Sequence, residues 1–251
     1  MSNTTKKFVH HRALNSEKAF KEFLSLSKVS QEILVAEGDI CWAYIEGSYA
    51  IYMHHPDLLG RPLSDSRVKE LQAEGKLFSL ENLFEINASV HFIIELKTGS
   101  GELKGFFMEF QRIVKKFNVK NLLVDSFSVE QLRQLKAIAP EMKTSLHTKS
   151  IFKRYVLESS FEKPYFKLHN LYKLDFIDYI TLSYATTHVN LYKLDIDDAY
   201  KEVYASQKKL NLGSIKSYDA LQKACNSKAK YIYLRSNRVK KNYTKLLKGK
   251  K

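Results

Sequence analysis

The sequence predicts a single α/β domain, a (β/α)8 TIM-type barrel over residues 5–236, followed by a basic C-terminal tail at 237–251. Short apolar runs rich in β-branched and aromatic residues alternate with longer amphipathic segments, as in parallel sheets whose strands are joined by helices. Eight such units occur within 251 residues, which is the usual size of this barrel. With only 9 Gly and 4 Pro, the chain has no Gly-, Ser- or Pro-rich linker that would divide it into two domains.

The predicted strands are short, and right-handed crossovers would make them parallel. They lie at 8–11, 33–39, 90–97, 121–125, 142–147, 179–184, 212–216 and 230–235. A further arm at 49–54 reads as the second half of a hairpin that turns near Gly47. The hairpin arm is therefore an insertion in the strand–helix alternation.

Helices are predicted where apolar residues recur every three or four positions. These segments are 16–29, 64–74, 79–86, 102–117, 128–138, 197–209 and 217–225. Asn15 or Ser16 would cap the first helix, and Ser128 with Gln131 forms a capping-box pattern at the start of the fifth.

The composition excludes several classes of protein. With 44% hydrophobic and 27% charged residues, the chain is that of a globular protein rather than a disordered one. Its longest apolar run, 40–45, is far shorter than the roughly 20 residues of a membrane span, and no apolar leader marks a secretory signal. The only cysteines, Cys41 and Cys225, have no metal-type neighbours and suit a reducing cytoplasm, where we expect the protein.

The net charge of +14 is concentrated at the C-terminus, where 237–251 carries seven Lys or Arg and no acid. Such a run is more often a solvated end than a binding element. The functional alternative is attraction to an anionic partner, although no recognisable nucleic-acid-binding motif accompanies it.

Ionisable residues gather where the early strands end. In a barrel these ends meet on one face, where catalytic groups lie. Side chains two apart on a strand point the same way, so Glu37 converges with Asp39, and Glu95 with Lys97. Three carboxylates facing one spot predict a hard cation between them, either Mg²⁺ or Ca²⁺.

Histidines near that ion could serve as general acid and base, and Lys97 and Arg12 could neutralise a phosphate. His11 ends the first strand, while His54 and His55 end the hairpin arm. These two adjacent histidines face opposite sides, so at most one points into the site. His147, also at a strand end, is interpreted as structural.

In order and spacing, these motifs resemble the glycerophosphodiester phosphodiesterases of the phospholipase-C-like phosphodiesterase superfamily, over roughly residues 8–140. The matching pieces are His11-Arg12-Ala13, Glu37-Gly38-Asp39, His54-His55-Pro56, Glu95-Leu96-Lys97 and LLVDSF at 122–127. The chain departs from the family pattern at Ala13, where the family has glycine, and at His55, where it has Asp. The Trp-Thr near the family's seventh strand is missing as well, so the resemblance is to a divergent member.

The resemblance implies a metal-dependent phosphodiester hydrolase whose substrate is a small phosphodiester, either a glycerophosphodiester or a lysophospholipid head group. It assigns catalysis to His11, His54 and Lys97, substrate binding to Arg12 and Lys97, and Mg²⁺ or Ca²⁺ ligation to Glu37, Asp39 and Glu95. The family register and Pro56 favour His54 over His55 as the second histidine.

Two other hypotheses remain. One is a catalytically degenerate barrel that acts as a basic binding protein, which the charge and the departure at His55 favour. The other is a dinucleotide-dependent oxidoreductase, because TGSGELKG (98–105) follows a strand, precedes a helix and is followed by Asp125. In that fingerprint the last glycine comes one place too late, and Glu95 and Lys97 have no role.

Overall fold

The structure, a computed structural model, describes residues 6–30, 33–55, 62–98, 103–147, 174–183, 208–215 and 218–235. Its strands are β1 (Lys7–His10), β2 (Ile33–Ile45), β3 (Ser48–Met53), β4 (His91–Leu96), β5 (Leu122–Ser126), β6 (Lys143–His147), β7 (Tyr179–Ser183), β8 (Lys209–Ile215) and β9 (Tyr231–Leu234). Its helices are α1 (Glu17–Val29), α2 (Asp65–Ala73), α3 (Leu80–Ile86), α4 (Lys104–Lys116), α5 (Val129–Ile138) and α6 (Tyr218–Asn226). The predicted basic tail at 237–251 lies outside the described residues.

Eight parallel strands close into a barrel, because β1 pairs with β9 on one side and with β2 on the other. Going round the ring from β2, the order is β4, β5, β6, β7, β8 and β9. The ninth strand, β3, pairs antiparallel with the second half of β2 from Ile40 to Ile45. Both the predicted (β/α)8 barrel and the hairpin arm are confirmed.

Three apolar clusters build the core of the described residues, and the two largest lie on opposite sides of the barrel strands. The outer cluster packs strands against helices through large, fully buried rings such as Phe20, Phe106 and Phe110. A separate cluster fills the barrel interior, and it consists of Val9, Val35, Ile93, Leu123, Tyr179, Tyr231 and Tyr233. On three of these strands, acidic side chains follow the cluster residues on the same face: Glu37 and Asp39 come after Val35, Glu95 after Ile93 and Asp125 after Leu123.

Serine side chains begin four of the helices. Ser16 accepts a hydrogen bond from the amide of Ala19 at 3.2 Å, so it is Ser16 rather than Asn15 that caps α1. Ser128 accepts one from the amide of Gln131 at 3.3 Å, as the capping-box pattern predicts. None of the helices in the described ranges is long and apolar enough to cross a membrane.

Strand β8 begins three residues earlier than the predicted 212–216, at Lys209, which the helix predicted at 197–209 had included. The Lys209 amide donates to the Asp178 carbonyl at 3.2 Å, which extends the pairing with β7. Its ammonium group lies 5.4 Å from the centroid of the Tyr179 ring. The earlier part of the predicted helix, 197–207, falls outside the described residues.

Candidate functional site: an acidic cluster at the barrel mouth

The register of three neighbouring strands brings carboxylates into one row. Asp39 on β2 pairs with Glu95 on β4, and Glu95 pairs with Asp125 on β5. Partners on adjacent parallel strands share a face, and Glu37, two residues before Asp39, lies on that face as well. All four carboxylates are only 1–5% exposed. Four acidic side chains are thus buried at the end of the barrel where the parallel strands finish.

Three of these carboxylates are spaced to hold one cation. Glu37, Asp39 and Glu95 each offer an oxygen atom, and these atoms lie within 4.8 Å of one another. Two oxygens bound to the same Mg²⁺ or Ca²⁺ at about 2.0–2.6 Å lie no farther than about 5 Å apart. The spacing and the all-oxygen donor set therefore fit a hard divalent cation.

The loop between β1 and α1 holds Glu37 in place. His11 Nδ1 lies 2.8 Å from Glu37 Oε2, and the amide of Arg12 donates to the same oxygen at 2.7 Å. Arg12 adopts the left-handed backbone conformation, with φ of 62°, and is exposed at the rim of the barrel. Since both contacts use Oε2, the other carboxylate oxygen of Glu37 remains available to a cation.

Asn15 orients Asp39, just as His11 orients Glu37. Its side-chain amide donates to Asp39 Oδ2 at 3.2 Å, and its carbonyl oxygen accepts from the Asp39 amide at 3.1 Å. The sequence predicts Asn15 only as a possible helix cap. The next residue, Ser16, can cap the helix by itself. This is the sequence signal that the side chain of Asn15 is available for another role.

Gly38 allows the loop to approach the site so closely. A Cβ atom at this position would lie 2.6 Å from the Leu14 Cβ and 2.7 Å from Asn15 Oδ1. The Leu14 amide also donates to the Glu37 carbonyl at 3.1 Å. The glycine between the two acids therefore permits the packing that orients both of them.

Lys97 is the cation nearest to the acidic cluster among the described residues. Its ammonium group pairs with Glu95 and lies 3.8 Å from Asp39 Oδ1. Burial alone would lower the pKa of Lys97, but the charges of Glu95 and Asp39 outweigh burial and raise it. Lys97 therefore stays positively charged and faces the carboxylates, as the two-residue spacing predicts.

The pKa of Glu95 is raised by its surroundings in the cluster. Burial raises its pKa from 4.5 to about 7; Lys97 opposes this shift, and Asp39 adds to it. A substantial part of the Glu95 carboxyl is thus protonated near neutral pH when no cation is bound. Protons and metal ions would compete for this carboxylate.

The two adjacent histidines of the hairpin arm differ in exposure. His54 is half-buried and His55 is exposed. Burial and then the charge of Arg67 lower the pKa of His54, and the charge of Asp39 acts in the opposite direction. His54 therefore lies within electrostatic reach of the acidic cluster, although none of the described hydrogen bonds joins it to the three carboxylates.

No protein-family model and no curated protein matches the chain. Solved structures do match. A glycerophosphodiester phosphodiesterase from Parabacteroides distasonis is 14% identical with a TM-score of 0.65, over 99% of this chain and 99% of that one. A phosphodiesterase from Oleispira antarctica, in complex with the product sn-glycerol-3-phosphate, is 15% identical with a TM-score of 0.61, over 92% and 93%.

The same barrel also occurs with another activity. A mutant tryptophan synthase α-subunit from Pyrococcus furiosus is 13% identical with a TM-score of 0.52, over 94% of this chain and 89% of that one. At such identities the likeness establishes the fold alone. Many of the similar structures are glycerophosphodiester phosphodiesterases, the family that the sequence motifs resemble.

The structure explains the last glycine of the glycine-rich segment without a dinucleotide. Residues 99–102 lie outside the described part of the chain. Gly105 lies in α4, where the ring of Tyr49 occupies the space that a Cβ atom would need. Helix packing accounts for this last glycine, and Glu95 and Lys97 have a role in the acidic cluster instead.

Replacing Glu95 by Gln should change how stability depends on pH. The raised pKa means that metal-free folded protein binds more protons than unfolded protein between pH 4.5 and about 7. This contribution to stability is therefore full below pH 4.5 and is lost as the pH rises through 7. We expect a loss of about 3 kcal/mol in wild type that is absent in Glu95→Gln.

The measurement is urea unfolding in EDTA at several pH values between 4.5 and 8. Glu85→Gln, at an exposed carboxylate on α3, is the matched control and should follow wild type. If Glu95→Gln showed the same pH dependence as wild type, the raised pKa would be wrong.

Proposed function

We propose that the protein is a phosphodiester hydrolase that holds Mg²⁺ or Ca²⁺ between Glu37, Asp39 and Glu95 and uses histidines for proton transfer. The observation that carries this proposal is the buried carboxylate cluster with Lys97 and His11 in contact with it. Burying several carboxylates together is costly unless positive charge compensates them. A barrel that only bound polyanions would gain nothing from such a cluster.

When bound, the cation would neutralise charge on a phosphate and make a nearby hydroxyl group more acidic. The protein's own contribution is to orient the oxygens that receive it. Glu37 is fixed by His11 and the Arg12 amide, and Asp39 by Asn15. Partners of this kind, which hold the ligands themselves, commonly strengthen metal binding.

Lys97 and Arg12 are proposed to bind the phosphate. Lys97 stays cationic at the cluster, so it can meet the negative charge that develops as the ester bond breaks. The exposed position of Arg12 at the rim, on the same loop as His11, suits a first contact with an incoming anion.

His11 and His54 are proposed to share the roles of general base and general acid. His11 Nδ1 faces Glu37, which leaves Nε2 for proton transfer. The lowered pKa of His54 favours the neutral imidazole near pH 7, the form that accepts a proton. A base must take the proton of the attacking hydroxyl group, and an acid must protonate the leaving alcohol.

The proposed substrate is a small phosphodiester with a hydroxyl group next to the ester oxygen, such as a glycerophosphodiester or a lysophospholipid head group. Support comes from the motif resemblance and from the fold shared with the Oleispira antarctica phosphodiesterase, whose bound product is sn-glycerol-3-phosphate. We place the activity in the cytoplasm, because a chain with only two cysteines, Cys41 and Cys225, suits a reducing compartment. We further propose that the basic tail at 237–251 is an extension of the barrel domain at 5–236.

The test of this function is hydrolysis of glycerophosphocholine and lysophosphatidylcholine by the full-length protein. Turnover should require added Mg²⁺ or Ca²⁺ and disappear in EDTA, and Glu95→Gln should lose the response to metal. Absence of turnover on both substrates with either ion would favour the degenerate, binding-only barrel.

The paired histidines of the hairpin arm allow a matched comparison. His54→Ala and His11→Ala should each lower kcat by about 10²–10⁴-fold, the usual contribution of an acid or base. His55→Ala, one residue from His54 but exposed, should behave as wild type. Circular dichroism would verify folding, and the opposite result at His54 and His55 would assign the second histidine to His55.

A further inference from the structure

A second buried polar pair lies beside the acidic cluster, and the proposed chemistry does not use it. Asp125 on β5 stands next to Glu95 in the carboxylate row, and His147 ends β6. His147 Nδ1 is 3.4 Å from Asp125 Oδ2, and the hydroxyl group of Tyr233 donates to that same oxygen at 3.3 Å. Both members of the pair are buried.

The hydrogen bonds of this pair are incomplete. Within the described residues, Asp125 Oδ1 and His147 Nδ1 are buried and have no hydrogen-bond partner. Buried polar groups in folded proteins are almost always satisfied, so an exception calls for an explanation. Two apolar side chains would fill the same volume at lower cost, which indicates that stability alone does not account for the pair.

The imidazole ring has a defined orientation. Phe127 stacks on it, with 4.3 Å between the ring centroids and 23° between the planes. Because Nδ1 is buried, the 9% of the side chain that stays exposed belongs to its other atoms. Nε2 is the only other polar atom of the ring, so it is the atom that His147 can offer to a ligand.

This ring lies on the opposite side of the cluster from His11. Around the barrel, His11 follows β1, the carboxylates that would hold the cation lie on β2 and β4, and His147 ends β6. Lys97, the proposed phosphate ligand, lies 4.7 Å above the same Phe127 ring that stacks on His147. The two histidines therefore flank the position proposed for the phosphate.

We propose that His147, whose Nδ1 faces the carboxylate of Asp125, binds a hydroxyl group on the leaving alcohol of the substrate. This inference rests on the proposed function, in which the alcohol that carries the attacking hydroxyl group lies at the carboxylate cluster. A hydroxyl group both donates and accepts, so it can pair with Nε2 in either protonation state of the ring. A leaving alcohol with a negative charge would be repelled by Asp125. An apolar leaving alcohol would leave Nε2 without a hydrogen-bond partner. Asp125 is then a positioning residue that acts through His147.

The test compares two glycerol phosphodiesters whose leaving alcohols are glycerol and propan-1-ol, which have the same number of carbon atoms. Wild type should prefer the glycerol ester in kcat/KM. His147→Phe keeps a ring to stack on Phe127 but removes both nitrogens, and it should reduce that preference about tenfold. His147→Gln retains a hydrogen-bonding amide and should restore part of it.

Asp125→Asn should reduce the same preference through KM rather than kcat, as expected of a positioning residue. His91→Phe is the control, because this histidine lies at the opposite end of β4 from Glu95. If His147→Phe hydrolyses both esters with the wild-type preference, the inference is overturned and the proposed function stands. If wild type hydrolyses neither ester with Mg²⁺ or Ca²⁺, the proposed function fails and the inference falls with it.

Discussion

Mutual repulsion among the buried carboxylates is the constraint on which the rest of the mouth depends. Parallel register sets Asp39, Glu95 and Asp125 side by side on adjacent strands. Like charges at this spacing, away from water, are tolerated only where protons, cations or hydrogen bonds offset them. Lys97 and the raised pKa of Glu95, which favours its protonated form, supply part of that compensation, and the proposed divalent cation would supply the remainder.

The fold brings the acidic side chains together and also fixes where they lie. The apolar side chains of Val35, Ile93 and Leu123 lie next below the acids on the inner face of the same strands, so the acids are held at the mouth. The loop after β1 crosses the end of β2 and contacts two of the acids through His11 and Asn15, an approach that Gly38 permits. The packing of the site and the proposed catalysis thus depend on the same short loop.

Much of this arrangement could be predicted from sequence because it is local. The two-residue spacing of Glu37 with Asp39, and of Glu95 with Lys97, is enough to place each pair on one strand face. Contacts between strands cannot be predicted from local spacing in this way. Nothing in the sequence states that Asp125 falls into register with Glu95, or that the ring of His147 stacks on Phe127. The role of Asn15 was hidden for the same reason, since its partner lies 24 positions away.

A crystal structure of the full-length protein grown with Mn²⁺ tests the central claim most directly, because this ion scatters anomalously and accepts the oxygen ligands that suit Mg²⁺. The account predicts one strong anomalous peak within about 2.0–2.6 Å of oxygens from Glu37, Asp39 and Glu95. Three ordered carboxylates with no peak between them, or a peak bound elsewhere in the barrel, would contradict it.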